Sequence, residues 1–246
     1  MKNILIFGAT SGIASEITKI YGRSDNNLFL FGRSENKLSS LKNELIIKSK
    51  GVNIELIKFD AEDYQDLENK VKNIISSIKT IDIIIISHAV MPKFLILDHE
   101  YQKDFNLIDI NVKSSVLIIN LLVKNTKKIE IKKIVFLSSV AGERGRGSNY
   151  VYGASKAFMN IYLQGLQNIL FKEKIKLLNI KLGPVNTNLS KNSGNDFLKI
   201  EPSYAAKKIV RSINSNQQEV FVPFYWKYIM FIIKMIPNFV FNRLSL

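Results

Sequence analysis

The chain has 246 residues, 46% of them apolar, which suits one large α/β domain or two small ones with a sizeable core. It has no cysteine, so disulfides and thiolate metal sites are excluded, and its two histidines match no ligand spacing. The net charge of +14 is spread along the chain, mostly as lysine. No basic helix interleaved with stacking aromatics accompanies it, which argues against a nucleic-acid partner and leaves an anionic membrane, a phosphate-bearing substrate or a merely solvated basic surface.

The N-terminus enters a strand-like run at once, without an apolar segment and small-residue cleavage site, so a cytoplasmic location is expected. Ile4–Phe7 reads as a strand and Gly12–Tyr21 as a helix, then Leu28–Phe31 and Glu35–Lys48, Ile54–Phe59 and Tyr64–Ile78. Ile81–Ile86 precedes a helical region from about Asp98 to Val123. Lys133–Leu137 precedes a helix from about Asn149 to Phe171, and Ile175–Lys181 closes the series. The strands are unbroken Ile/Val/Leu/Phe runs, as in parallel strands covered on both faces. Regular alternation predicts a doubly wound, mainly parallel sheet of about seven strands, Rossmann-like in class. Residues 188–202 are polar and read as a mobile loop beside the site.

The turn Gly8-Ala9-Thr10-Ser11-Gly12-Ile13-Ala14 lies between the first strand and first helix. Glycine there permits a tight turn and close approach of a pyrophosphate, with the helix N-terminus supplying donors. Gly8, Thr10, Ser11, Gly12 and Ile13 are therefore candidate cofactor contacts. The second strand ends in Phe31-Gly32-Arg33-Ser34 with no acid. Arg33, with Ser34, suits the 2′-phosphate of NADP(H), where a carboxylate would suit the 2′-hydroxyl of NAD. Glu35 reads as the opening of the next helix.

Tyr152 and Lys156 stand four residues apart on one helix face. A cation beside a phenol lowers its pKa from about 10 towards neutrality and fits it for proton transfer. Ser138 and Ser139 end the fifth strand, and Asn111 lies in the helical region before it.

Together, the Gly8–Ala14 turn, Asn111, Ser138-Ser139, Tyr152-x-x-x-Lys156 and Gly183-Pro184-Val185-Asn186-Thr187 resemble the short-chain dehydrogenase/reductase family over about residues 1–215. The resemblance implies an NADP(H)-dependent oxidoreductase. It makes Tyr152 the general acid, Lys156 its tuner and the holder of the nicotinamide ribose, and Ser139 the donor to the substrate carbonyl. Asn111 would hold a helix irregularity and a water relaying protons to Lys156. Asp60 and Ala61 would meet the adenine, and His88 and Ala89 would line the cofactor. Gly183, Val185 and Thr187 would flank the nicotinamide. Ser138 remains an alternative to Ser139. Ser87-His88-Ala89-Val90 and Leu182 depart from the family pattern.

Two stretches, 138–153 and 224–244, are similar to a branch of that family containing decaprenylphosphoryl 2-keto-erythro-pentofuranose reductases of cell-wall polysaccharide synthesis. That likeness implies a polyprenyl-phosphate-linked or other phosphorylated 2-keto sugar and a flavin-dependent sugar oxidase as partner. Arg144 and Arg146 are candidates for a substrate phosphate, with ordinary loop charge the plainer reading. Lipid-ketone reduction and a non-catalytic NADP(H)-binding regulator stand as alternatives. Homo-oligomers paired through the helix of Tyr152 are expected from the family. Residues 1–222 read as the catalytic domain and 223–246 as an apolar extension. Its segment between Pro223 and Pro237 is too short to cross a membrane. Trp226, Tyr228 and nearby cations suit packing on the domain or a peripheral place on the membrane's inner face.

Overall fold

The computed structural model describes residues 1–49, 51–91, 101–190 and 198–244. The first half runs β1 (Asn3–Phe7), α1 (Gly12–Tyr21), β2 (Asn27–Gly32), α2 (Glu35–Lys48), β3 (Asn53–Lys58), α3 (Tyr64–Ser77), β4 (Thr80–Ile81) and β5 (Ile83–Ile86). There follow α4 (Tyr101–Ile108), a π-helical turn Asp109–Lys113, α5 (Ser114–Lys124), β6 (Glu130–Ile131), β7 (Lys133–Ser139) and α6 (Tyr150–Lys172). The chain continues through β8 (Lys176–Leu182), α7 (Pro202–Ile213), β9 (Glu219–Val222), α8 (Trp226–Met235) and α9 (Asn238–Phe241). Three helices start where a short polar side chain satisfies a free amide. Ser11 caps α1, Ser34 caps α2 and Asp63 caps α3, accepting from Ala14, Lys37 and Asp66 N–H respectively.

The sheet has seven strands in the order β3-β2-β1-β5-β7-β8-β9, with parallel pairing throughout. Successive side chains of β1 feed opposite faces. Leu5 and Phe7 enter a core formed with α3, α5 and α6, while Ile4 and Ile6 enter one formed with α1, α2 and α7. Two covered faces explain why the strands lack polar alternation. The expected Rossmann-like class is the observed one, and the carboxyl ends of all seven strands lie along one edge.

Two elements differ from the sequence reading. The run Ile81–Ile86 is two strands, because β4 leaves the main sheet to pair with β6. At the break, Asp82 accepts from Asn3 N–H at 2.9 Å and from Lys132 Nζ at 2.8 Å. The stretch 188–202 is followed by α7, whose inner face carries Ala205, Ala206, Ile209 and Ile213. Of that stretch, 191–197 lie outside the described residues, as do 98–100 of the expected helix. Lys133 reaches across to the carbonyls of Ile213 and Ser215, anchoring the end of α7 to the sheet.

The extension after β9 packs inward through Trp226 and Met230, which meet Val140. Arg144 binds the Ile233 carbonyl and Asn238 Oδ1 and lies 3.8 Å from the Phe241 ring centroid. Glu143 bridges Lys181 at 2.6 Å and Lys234 at 3.0 Å.

Candidate active site

The β1–α1 turn is shaped by Gly8, whose φ of 80° lies in the left-handed region. A Cβ there would stand 2.7 Å from the His88 amide nitrogen, so glycine lets the end of β1 lie against the segment after β5. The Gly8 and Ala9 amides donate to the Phe31 carbonyl at 3.0 and 2.9 Å, joining the ends of β1 and β2. Ser11 lies 3.0 Å from Ser87 Oγ. Thr10 is half-buried beside it, and Ile13 packs into the core under α1. A Cβ on Gly12 would stand 2.9 Å from the Thr187 methyl, so the segment after β8 closes over the same turn. The first turn of α1 carries no acid, which leaves its N-terminal dipole unopposed for an anion.

Arg33 is exposed at the end of β2. Ser34 caps α2, and Glu35 ion-pairs with Lys58 at 3.3 Å. Asp60 follows β3, with Oδ1 accepting from Glu62 N–H at 3.1 Å. Ala61 is buried beneath it. These residues share the edge that carries the Gly8 turn.

The second cluster forms where β7 meets α6. Ser139 Oγ accepts from the Ala141 amide at 3.1 Å and lies 3.3 Å from the Leu182 carbonyl. The Ser139 hydroxyl also hydrogen-bonds the Tyr152 phenol. Ser138 turns the other way and donates to buried Asn160 Oδ1 at 2.7 Å. The pleat thus leaves Ser139, not Ser138, facing the phenol. A Cβ on Gly142 would sit 2.7 Å from the Ala157 amide, so glycine brings this turn onto α6. Lys156 is buried, donates to the Leu137 carbonyl at 3.1 Å and stands 5.7 Å from the Tyr152 ring centroid.

Asn111 sits in the π-helical turn, fully buried. Its Oδ1 accepts from Val90 N–H at 2.8 Å, and its Nδ2 donates to the Val90 carbonyl at 2.9 Å and to Ser155 Oγ at 3.2 Å. The expected helix irregularity is present, and the side chain ties the segment after β5 to α6. Because Val90 is held at both polar groups, Ala89 stands on a fixed backbone. His88 Nε2 pairs with Ser114 Oγ at 2.7 Å while Nδ1 is enclosed with no hydrogen-bond partner among the described residues. Burial, with the Lys156 ammonium second, holds the imidazole pKa down to about 3, so the ring is neutral. Gly183 lies under the Trp226 indole, and Val185 is buried with a bridge to Ile200.

Two expectations are corrected. Lys156 was expected to draw the Tyr152 pKa towards neutrality. Instead burial pushes the phenol up to about 12, against only the Ser139 hydrogen bond. Burial also brings Lys156 down to about 8. Desolvation disfavours both charged forms and is the largest cause of each shift. Arg144, a candidate for a substrate phosphate, is committed to the C-terminal extension; the plainer reading of it as loop charge also fails, since it is a structural anchor. The sequence reading missed Gly142, Asn160 and Ser155 as supports. Ser155 lies between Tyr152 and Lys156 on α6 and Asn160 one turn beyond Lys156, and only the facing elements reveal their partners.

Comparison with known proteins identifies the family and the fold. The pattern of the family described as short chain dehydrogenase matches residues 2–197. The chain belongs to that family. It is 26% identical over 215 residues to an uncharacterized oxidoreductase of Staphylococcus epidermidis, covering 86% of this chain and 90% of that protein. It is 26% identical over 235 residues to dehydrogenase/reductase SDR family member 7B of Xenopus tropicalis, covering 89% of this chain and 76% of that protein. Among solved structures it superimposes on a short-chain dehydrogenase from Sphingobium yanoikuyae in complex with NADPH, with TM-score 0.82, 20% identity and 97% of each chain covered. A short-chain dehydrogenase from Burkholderia cenocepacia in complex with NADP gives TM-score 0.82 at 15% identity, with 100% of each chain covered.

Proposed function

We propose that this member of the short chain dehydrogenase family is an NADPH-dependent reductase of a keto group. The observation that carries the reading is the meeting of Ser139, Tyr152 and buried Lys156 at the carboxyl end of β7, on the sheet edge that carries the Gly8 turn. The residues fit the cofactor. The first turn of α1 carries no acid, and an exposed Arg33 where β2 ends without one suits a 2′-phosphate. Asp60 and Ala61 would hold the adenine side. His88 and Ala89 would line the cofactor, and Gly183, Val185 and Thr187 would flank its nicotinamide end.

When the cofactor is bound, hydride reaches the carbonyl carbon from the reduced nicotinamide. Tyr152 gives its phenolic proton to the carbonyl oxygen, and Ser139 donates a hydrogen bond to that oxygen as charge develops. A phenol held at about 12 remains protonated at neutral pH, which suits the reduction direction. Lys156 holds the ribose and supplies positive charge beside the phenolate left behind. Asn111 fixes Val90 and the α6 face that carries the pair.

For the substrate, the reading is a polyprenyl-phosphate-linked or other phosphorylated 2-keto sugar of cell-envelope polysaccharide synthesis. Its support is the likeness of residues 138–153 and 224–244 to the reductases of that substrate class, together with Arg146. With Arg144 engaged, Arg146 is the remaining cation of that turn, and its buried Nε has no hydrogen-bond partner among the described residues. Such a substrate places the protein in the cytoplasm, peripheral at the inner membrane face. A sugar oxidation, as by a flavin-dependent oxidase, would supply the ketone. Subunits pair through α6, where Phe158, Ile161, Ile169 and Phe171 are exposed.

Two measurements test the reading. Arg33→Ala should raise the KM for NADPH by about tenfold or more and leave that for NADH nearly unchanged; equal effects on both would refute the NADP assignment. On a panel of ketones, turnover of the phosphorylated 2-keto sugar, with loss on Arg146→Ala, supports the substrate class. Turnover of 3-oxoacyl or steroid ketones alone rejects it.

A further inference from the structure

We infer that the outer face of α8 and α9 is a docking surface for an anionic lipid bilayer, which the protein meets lying along the helix rather than crossing. The inner face is already used. Trp226 and Met230 are buried against Val140, and Phe241 lies beneath Arg144. The opposite face carries Phe224, Tyr228, Phe231, Ile232, Met235 and Phe239, each more than half exposed, at 62–73%. On α8 these apolar side chains follow helical spacing and form one stripe. Lys227 and Lys234, seven residues apart (234 − 227), fall on one flank of it. This is the arrangement of a helix lying in a membrane interface, with aromatic and aliphatic groups inserted and cations at headgroup level.

Charge selects the occupant. Every charged side chain after Glu219 is a cation, Lys227, Lys234 and Arg243, although Lys234 also pairs with Glu143. A second copy packed two-fold on this face would set the same cations against one another, and a like-charged contact is unfavourable. An anionic headgroup layer complements them, each basic residue near the surface adding to the attraction. The ten residues of α8 span about 15 Å, half the roughly 30 Å hydrocarbon core, so the helix lies on the bilayer. The fold holds that geometry firmly. Glu143, one residue beyond the turn after Ser139, pairs with Lys234, and Arg144 holds the end of α8. Trp226 presses on Gly183 at the nicotinamide end of the cleft. Docking would therefore bring the catalytic rim to the lipid surface. The inference goes beyond the reductase reading and does not need turnover to be tested.

The test is flotation of the whole protein with phosphatidylcholine vesicles, with and without phosphatidylglycerol, at low and high salt. The wild type should float with the anionic vesicles at low salt and be released as salt rises. A double variant, Phe231→Ser with Ile232→Ser, should lose binding by about tenfold or more. Lys227→Glu should weaken binding to anionic vesicles and leave the weak binding to neutral ones unchanged. These side chains point to solvent, so NADPH binding should persist in all three proteins. Failure of the wild type to float overturns the proposal, as does undiminished flotation of the double variant. A double variant that lowers the oligomeric mass while the wild type ignores vesicles shows that a second copy covers the face. Docking without ketone reduction would refute the function and leave the surface standing.

Discussion

Tyr152 can give up a proton only while it holds one, and the burial that raises its pKa to about 12 secures this across the physiological range. Tyr152→Phe should lower kcat for ketone reduction by at least about a hundredfold with NADPH binding retained; full activity in that variant would refute the acid role. Lys156 sets the pH limit. Its pKa of about 8 means that the ammonium discharges in the mild alkaline range. Reductive kcat/KM should therefore fall as pH rises through about 8, well below the titration of the phenol, and a flat profile to pH 10 would contradict it. His88 affects stability instead. Its folded pKa of about 3 lies below the unfolded value of 6.5, so the unfolded chain takes up the proton first. The stability it contributes is complete above pH 6.5 and is lost as pH falls towards 3. At about pH 4.5 the loss should be about 2–3 kcal/mol, read as the extra acid sensitivity of the parent over His88→Asn in urea unfolding.

Two elements carry the site by being tied to something else. The π-helical turn between α4 and α5 places Asn111 opposite Val90 and α6, so one amide side chain satisfies both polar groups of Val90. Asn111→Ala should destabilise the fold by about 1–3 kcal/mol, measured by denaturant unfolding, because those groups lose their partner in a dry place. The continuous helix 101–124 is long and apolar enough to cross a membrane by composition. Its buried residues Leu107, Ile118, Ile119 and Leu122 instead belong to the cores under the sheet and beside Tyr152. The extension α8–α9 depends on Arg144 and Glu143. Burial pushes the Glu143 carboxyl up, but Lys181 and Lys234 outweigh it and hold it below the usual carboxylate range. Arg144→Ala should speed hydrogen exchange in 226–241 while the central strands keep their protection.

For the whole molecule, two cores on either side of one parallel sheet leave its carboxyl edge as the place where loops converge. Among the described residues, apolar side chains remain uncovered on α6 and on α8–α9, with smaller groups on α2 and α4. The α6 face should be covered by a second copy. Light scattering should give a multiple of the single-chain mass, and Ile161→Lys, at a position 68% exposed, should shift it towards the single chain.

Much of this was legible in the residues. Unbroken apolar runs required a sheet covered on both faces, and the helix starts at Gly12, Glu35 and Tyr64 could be read from the alternation. The Gly8 turn and the Tyr152–Lys156 spacing marked the site, because both depend on contacts between near neighbours in the chain. What spacing could not supply was burial. Lys156 beside Tyr152 reads as a tuned phenol until the surrounding core removes water from both, after which desolvation decides the direction of each shift. The same holds for Arg144, whose partners lie 89 and 94 residues away. For Ser138 and Ser139, the resemblance ranked them, but only the pleat of β7 decided which faces Tyr152. Local order follows from neighbours in sequence. Charge state and orientation in the site follow from what the fold packs around them.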